Sequence, residues 1–370
     1  MIEVDIHTKR IAADTRIYIA RPGAKYRFFN QFVDNNFVGP DLPGLDFSAF
    51  DNVADIADLE ERIKRSAAIR RYVFRGDRDL EAPTRELEDY KGLPSGPTMS
   101  QLARVVRAYF GAMKQGDLVV VPPANFKGMA HIGELTSLPT QTKTLGVGVY
   151  GDDLLTGRNV RWLASVEKLK LPAQTLDALQ KPSPLFLLVR EAWPAIFRRA
   201  YGSYVTDTEF GSRFEITSEK YKTTDDFYIQ GFFNFVAANT EKVRLGQGQE
   251  MLSFKEGAFS AEGLAPDLYT NVNSPGGLSL KSTVITPIII AVMLALAVDV
   301  GPEAFAAARD GNVTFGNSLA PANDPCSAEV QKQVVSQLTL LGYDRWSEAC
   351  VFARAAAERT GISTTVDVKK

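Results

Sequence analysis

Short apolar runs and helical patterns alternate along the first half of the chain. FFNQFVDNN (28–36) and QLARVVRAYFGAM (101–113) repeat apolar residues at the spacing of a helix. Apolar stretches bounded by turn residues predict strands, and they lie at RIYIAR (16–21), LVVV (118–121), AHIGEL (130–135), GVGVYGDD (146–153) and NVRWLASVEKL (159–169). The first half is therefore predicted to contain a small sheet flanked by helices.

The second half has longer helical patterns. PLFLLVREAWPAIFRRAYGSYV (184–205) predicts a helix interrupted by Pro194, and further helices are predicted over 225–239, 327–342 and 347–361. VITPIIIAVMLALAV (284–298) carries no charge. A membrane-spanning helix needs about 20 apolar residues, so we predict a buried core helix at this segment.

The length of 370 residues allows two or three domains. KPSP (181–184) is the best candidate boundary because proline-rich polar segments often link domains. We predict an α+β fold, with a first domain over 1–180 and a second, mixed α/β and helix-rich domain over 183–370.

Composition narrows the possible functions. The net charge is −2, so any basic surface that binds nucleic acid must be local. Cys326 and Cys350 are far apart in sequence, which argues against a disulfide scaffold and fits a reducing cytoplasm. His7 and His131 are the only histidines, so a histidine-rich metal centre is excluded and a histidine-based triad must use one of them. The charged N-terminus is not a signal peptide; we expect a cytoplasmic protein that needs no cofactor or metal and associates with no membrane.

Four segments together resemble the PUA-like readers, which include the EVE domain, the YTH domain and the base-reading domains of modification-dependent restriction proteins. These segments are RIYIARPG (16–23), MKQGDLVVVPP (113–123), HIGEL (131–135) and NVRWLASVEKLKLP (159–172). The resemblance covers about residues 15–175, with an apparent insertion near 46–100. It implies a curved β-barrel flanked by helices, with a pocket at the barrel mouth that holds one flipped or unstacked base.

Candidate base-binding residues lie on and beside the matched strands. Asn125 and Phe126 occupy the loop between two of these strands, where an amide and an aromatic ring suit base recognition. The alternative is a solvent-exposed turn with the ring tucked under it. Trp162, Tyr150 and His131 are the other candidates, although strand aromatics and lone histidines are commonly structural.

A basic stripe over residues 62–78 is the main candidate for phosphate binding. It contains Arg62, Lys64, Arg65, Arg70, Arg71, Arg75 and Arg78 against a single acid, Asp77. The alternative is a solvated helix face whose cations pair with the upstream acids, which are Asp55, Asp58, Glu60 and Glu61. The selected phosphate contacts are Arg65, Arg70, Arg71, Arg75, Lys127, Arg158 and Arg161.

Glu134, Asp225 and Asp226 are candidate catalytic carboxylates, since a base-excising enzyme needs an acid or base near the flipped base. For Asp225 and Asp226 the alternative is a helix cap within TTDD. The function expected from these residues and the resemblance is binding of a modified DNA base in bacterial defence against phage. The alternatives are a DNA glycosylase or nuclease acting on modified phage DNA, and a signalling or membrane effector that uses 284–298. DNA, or alternatively RNA, is the expected partner.

Overall fold

The computed structural model describes residues 1–47, 49–75, 81–181, 183–260, 265–271, 276–320 and 324–370, with only the backbone described at Arg75 and Asn271. The protein is a mixed α/β protein that includes a curled half-barrel sheet. It divides into two compact units. The central unit comprises residues 14–200, and the split unit comprises residues 1–13 together with 201–370.

The strands, in chain order, are β1 (Ile2–Asp5), β2 (Thr8–Arg10), β3 (Ile17–Ala20), β4 (Phe37–Val38), β5 (Leu118–Val121), β6 (Met129–Leu135), β7 (Lys143–Leu145), β8 (Leu155–Glu167), β9 (Leu185–Leu187), β10 (Ser203–Val205), β11 (Phe210–Ile216), β12 (Asp267–Asn271), β13 (Gly276–Ser282), β14 (Val313–Gly316) and β15 (Asp367–Lys369). The α-helices are α1 (Phe29–Asp34), α2 (Leu59–Arg75), α3 (Pro97–Arg107), α4 (Ala173–Ala178), α5 (Trp193–Ala200), α6 (Thr223–Arg244), α7 (Phe254–Phe259), α8 (Thr286–Ala295), α9 (Glu303–Arg309) and α10 (Pro325–Thr360).

The central unit is built on a seven-stranded sheet in the order β4-β8-β6-β5-β3-β9, with β7 also paired to β8. β3 and β5 are parallel, and the other pairs are antiparallel. The 13-residue strand β8 pairs with β4, β6 and β7, and a register shift interrupts its pairing with β6 at Ile132/Gly133. Such irregularities bend a strand and increase its twist. The predicted strand at 146–153 is wrong, because this segment forms turns and bends.

The core of the central unit lies under one face of this sheet. α3 supplies Leu102, Val105 and Val106, and a π-helical turn over 108–112 extends that helix. The segment predicted as an insertion, 46–100, contributes to the same core through Leu59 and other apolar residues of α2.

The boundary between the units lies at 200/201, whereas the sequence placed it at 181–184. β9 follows that proline-rich segment and pairs with β3. The chain therefore adds one more strand to the central sheet before it enters the split unit at residue 201. The helix predicted over 184–205, with an interruption at Pro194, is wrong, because this stretch contains β9, α5 and β10. Pro194 lies in the first turn of α5, where its missing N–H leaves no hydrogen bond unmade.

The split unit contains two further sheets. One has the order β12-β13-β11-β10-β2, and the other is β14-β1-β15. Every residue of α8 is buried in the core of this unit, which confirms the predicted core helix. No single helix among the described residues is long and apolar enough to cross a membrane, and Thr286–Val300 with Glu303–Arg309 pass that test only as a pair bent by 116°.

Candidate functional site

A cavity of about 240 Å³ lies in the central unit, where the chain leaves β3 and β4. Residues 21–26 after β3 and 39–41 after β4 form part of its wall, and α2 and α3 close it with Arg70, Leu102 and Val105. Pockets for drug-sized ligands occupy about 300–1,000 Å³. This cavity therefore suits a smaller ligand, such as one planar ring system.

The loop after β3 has an unusual backbone. Gly23 has φ 74°, and the non-glycine residues Lys25 and Tyr26 have φ 55° and 60°. Left-handed backbone at a bulky residue is uncommon and costs of the order of 1–3 kcal/mol. Such strain concentrates at ligand-binding sites, and here it sets the position of the Tyr26 ring in the cavity wall.

Asp41 forms hydrogen bonds with three other residues at this cavity wall. Its carboxylate accepts hydrogen bonds from the backbone N–H of Ala24, at 3.2 Å, and from the Tyr150 hydroxyl. Arg70 donates to the Asp41 carbonyl at 3.1 Å. Burial and then the neighbouring carboxylate raise the pKa of Tyr150 far above its ordinary value. Tyr150 therefore remains a neutral hydrogen-bond donor and fixes the carboxylate.

Tyr109 gives the cavity a polar group that the protein does not satisfy. The side chain is 1% exposed, lines the cavity and belongs to the π-helical turn after α3. Its hydroxyl has no hydrogen-bond partner among the described residues, and burial raises its pKa far above the ordinary value. An unsatisfied buried hydroxyl costs about 1–3 kcal/mol, which a ligand atom within hydrogen-bonding distance would recover. π-Helical turns are frequent at functional sites.

Cations and aromatic rings alternate from the cavity towards the loop between β5 and β6. The guanidinium of Arg21 lies 5.7 Å from the centre of the Tyr26 ring. The Lys168 ammonium lies 5.5 Å from the same ring and 4.9 Å from the ring of Phe126, which is 67% exposed. Burial, and secondarily the charge of Arg21, lower the pKa of Lys168. Phe126, a predicted base-binding residue, and the cavity-lining residue Tyr26 thus both have their rings near the Lys168 ammonium.

The other predicted base-binding residues on the strands are packed together. Trp162 donates its indole N–H to the Val33 carbonyl at 2.9 Å, and its ring lies 5.6 Å from that of His131. A side chain at Gly133 would lie 2.8 Å from the Trp162 ring, so only glycine permits this packing. Phe29 contacts the His131 ring at 5.5 Å, and burial lowers the pKa of this histidine.

The cavity described above is lined by neither Asn125 nor Trp162. Asn125, Phe126 and Lys127 are exposed in their loop, while Trp162 is engaged in internal packing. The described cavity lies instead at the loops after β3 and β4. RIYIARPG was predicted as a strand and as one of the four segments that resemble PUA-like readers, but no role was predicted for Arg21, Tyr26, Asp41 or Tyr109. The available signal was the Pro-Gly turn directly after a buried strand, with an aromatic residue three positions later.

Two predicted phosphate contacts have structural roles instead. Arg158 is fully buried, and its guanidinium donates to the carbonyls of Tyr109, Met113 and Ser137 and to the Ser137 hydroxyl. Burial lowers the pKa of Arg158 to about 10. Arg65 is also buried, and it donates to the carbonyls of Gly44 and Arg85 and to the Asp46 carboxylate. Arg158 is therefore not accessible to a phosphate, whereas Arg65 borders an open groove but is held by these hydrogen bonds.

The remaining basic residues differ in their surroundings. Arg70 lines the cavity, whereas its neighbour Arg71 is exposed. Arg161 is exposed and lies 3.1 Å from Glu134, its cross-strand partner. Lys64 pairs with Glu60 at 3.2 Å, as the alternative of a salt-bridged helix face predicts. The side chain of Arg75 and residues 76–80, which include Asp77 and Arg78, lie outside the described residues.

The three candidate catalytic carboxylates are divided between the two units. Glu134 belongs to the central unit, and the other two belong to the split unit. Asp225 accepts the Lys222 backbone N–H at 2.8 Å and pairs with Arg359 at 2.7 Å, while Asp226 accepts the Tyr221 hydroxyl at 2.6 Å. Burial raises the pKa of Asp225. The hydrogen bond from the Lys222 N–H and the Arg359 cation outweigh this effect, so the pKa lies below its ordinary value. The helix-cap alternative is therefore the observed one for Asp225.

Comparison with protein-family models, with curated proteins and with solved structures gave no match for this chain. Within the described part of the chain, no group of three or more histidine, cysteine, aspartate or glutamate side chains could hold a metal ion. Any assignment of function therefore depends on the cavity and its lining.

Proposed function

We propose that the central unit binds one flipped or unstacked nucleobase of a nucleic acid in the cavity at Tyr26. The observation that carries this proposal is one small cavity lined by Tyr26, whose ring centre has the cations of Arg21 and Lys168 at 5.7 and 5.5 Å, and by Tyr109, whose hydroxyl is unsatisfied. Stacking on an aromatic ring contributes about 1–3 kcal/mol per base. That gain is comparable with the few kcal/mol needed to unstack a base, so edge contacts and phosphate contacts must supply the remaining affinity.

Both kinds of additional contact are available at the cavity. Tyr109 can donate to or accept from a base edge, and the Asp41 carboxylate can accept from an amino group. Arg21, Lys25 and Arg70 also line the cavity and bring positive charge to a chain with a net charge of −2. Phosphates that flank the bound base would meet these cations.

The resemblance to PUA-like readers supports the same proposal. A curled half-barrel sheet in an α/β chain is compatible with that family's fold. In the form that follows from the resemblance, the bound base is a modified base in DNA and the role is defence against phage. Excision of the base is not included, because Glu134, Asp225 and Asp226 do not line this cavity.

Fluorescence anisotropy with the full chain tests the proposal. Labelled duplexes with one 5-methylcytosine or one plain cytosine, and single-stranded DNA and RNA, are titrated over a salt series. We expect Tyr26→Ala to weaken binding by about 1–3 kcal/mol, roughly 5- to 150-fold in Kd. Tyr26→Phe keeps the stacking face and should lose much less.

Adjacent arginines provide a matched control for charge. Arg70 lines the cavity and Arg71 is exposed on the same helix. Arg70→Ala should weaken binding and reduce the salt dependence by about one phosphate contact, whereas Arg71→Ala should leave the Kd within about twofold. Equal affinity of wild type and Tyr26→Ala for every probe contradicts base binding in this cavity. Equal affinity for modified and plain duplexes, with Tyr26→Ala still weaker, contradicts only the selectivity for 5-methylcytosine.

A further inference from the structure

His7 lies in a polar cluster of the split unit at the end of β1. Asp5 is the last residue of β1, and Ser318 follows β14 by two positions. β1 and β14 pair in parallel, with Asp5 opposite Gly316. This pairing brings His7 and Ser318, 311 positions apart in sequence, to the same corner of the sheet.

The three side chains have the order of a nucleophile, a base and a carboxylate. The Ser318 Oγ lies 3.2 Å from His7 Nδ1, and His7 Nε2 lies 3.5 Å from the Asp5 Oδ2. Because the carboxylate faces Nε2, it favours the tautomer with the proton on Nε2. Nδ1 is then unprotonated and can accept the serine proton.

The carboxylate is itself held in place. Asp5 Oδ1 accepts the backbone N–H groups of His7, at 3.0 Å, and of Ser318, at 3.1 Å. Burial raises the pKa of Asp5, but these hydrogen bonds outweigh it and hold the pKa below the ordinary value. Asp5 therefore stays ionised and can stabilise a charged imidazole.

Backbone strain and access both fit a reactive site. His7 has φ 41°, a left-handed conformation that costs of the order of 1–3 kcal/mol and concentrates at functional sites. The side chain of His7 is 35% exposed, and Ser318 is exposed. Asp5 and Ser318 line an open groove of about 440 Å³, together with Glu3, Asp367 and Lys369.

The second histidine provides an internal contrast. His131 Nδ1 lies 2.9 Å from the Ser165 Oγ. Yet His131 forms no ion pair with a carboxylate among the described residues, and its ring packs against Phe29 and Trp162. A serine beside a histidine is thus present in both units, but among the described residues a carboxylate within ion-pair distance is present at His7 and not at His131.

We propose that Ser318, His7 and Asp5 form a nucleophilic serine site that accepts acyl groups from uncharged esters. The Ser318 Oγ attacks the ester carbonyl while His7 Nδ1 takes its proton, and the C–O bond to the alcohol breaks as His7 returns that proton to the leaving oxygen. Water then attacks the acyl-serine with His7 again as base, which releases the acid and restores the serine. The carboxylates of Glu3 and Asp367 at the groove disfavour anionic esters.

A fluorophosphonate probe tests this site in the full chain. The serine oxygen bonds to phosphorus, the P–F bond breaks, fluoride leaves and the proton goes to His7. We expect one adduct by intact mass, mapped to Ser318 by peptide analysis, in wild type and in the control Ser165→Ala. Ser318→Ala should give no adduct. His7→Asn should label about 100-fold more slowly or worse, since general-base catalysis contributes at least about that factor and asparagine tolerates the left-handed backbone.

Asp5 acts through His7, so its test separates reactivity from probe binding. Asp5→Asn keeps an oxygen for both backbone N–H groups and removes the charge. It should lower the maximal labelling rate constant and leave the probe concentration for half-maximal rate unchanged. An unlabelled wild type, an adduct that persists in Ser318→Ala, or an unchanged rate in His7→Asn overturns the proposal.

Discussion

In the split unit, the polar side chains at the centre of the core bond to one another and to the backbone, whereas the central unit leaves a fully buried tyrosine hydroxyl without a partner. Gln337, which is completely buried, donates to the Val236 carbonyl at 3.1 Å and accepts from Thr240 at 3.0 Å. Asn239 bonds to the backbone of Phe235 and Leu252. Tyr109 is as deeply buried, but its hydroxyl has no hydrogen-bond partner among the described residues.

This difference contrasts a core whose central polar groups are paired with a cavity wall in which the hydroxyl of one buried side chain is not. A buried polar network in which every group is hydrogen-bonded stabilises one arrangement of the helices relative to other arrangements. A buried hydroxyl beside a cavity lowers stability and is tolerated where binding recovers the cost. The left-handed backbone at Lys25 and Tyr26 lies in the same cavity wall, and it also costs free energy.

The largest effect is expected from Arg158, and it tests whether the central unit also contains a fully hydrogen-bonded group of buried polar atoms. Arg158→Ala removes four hydrogen bonds and leaves buried carbonyls unpaired, so we expect a loss of about 3 kcal/mol or more in the free energy of unfolding, measured by denaturant titration. The control is Arg161→Ala, whose exposed ion pair contributes about 0–1 kcal/mol. Equal losses in the two variants contradict the structural role of Arg158.

A smaller loss is expected from the network of the split unit. Gln337→Leu removes the donor to Val236 and the acceptor for Thr240. The single hydroxyl proton of Thr240 can then be donated fully to the Val236 carbonyl, so we expect a loss of about 1–3 kcal/mol in the free energy of unfolding. The exposed neighbour Thr339, mutated to alanine, is the control and should change stability by less than about 0.5 kcal/mol.

The smallest expected change in the free energy of unfolding is a gain or no change, rather than a loss. Tyr109→Phe removes a hydroxyl that has no partner among the described residues, so the free energy of unfolding should stay equal or rise by up to about 1 kcal/mol. The same change should weaken nucleic-acid binding if the hydroxyl contacts the base. A loss of stability similar to that of Gln337→Leu shows that Tyr109 is already satisfied and removes the contrast between the units.

Elements with strong local patterns were predictable from the sequence. LVVV and AHIGEL form β5 and the end of β6, and the uncharged segment 284–298 forms the buried helix α8. Aromatic spacing at 28–36 locates α1. In these segments the hydrophobic pattern and the intrinsic preference of the residues agree.

Features that depend on distant partners were not predictable. Arg158 was indistinguishable by sequence from Arg161, and only the approach of residues 109–113 and 137 made it structural. By contrast, the two helices expected over 327–342 and 347–361 are present as the two parts of α10, which is broken at Gly342 with φ 73°. The cavity wall combines loops whose individual sequences carry no periodic signal. The same holds for His7 and Ser318, which β-strand pairing alone brings together.

The first thirteen residues form strands with partners that lie beyond residue 200. During translation, β2 has no strand to pair with until residues 203–205 have been made, and β1 has none until residues 313–316 have been made. Residues 14–200, in contrast, are contiguous and can fold while synthesis continues. A protein fragment that starts at residue 201 would lack the middle strand of the β14-β1-β15 sheet, so a domain dissection of this chain must restore the amino-terminal segment, for example by joining it to the new start.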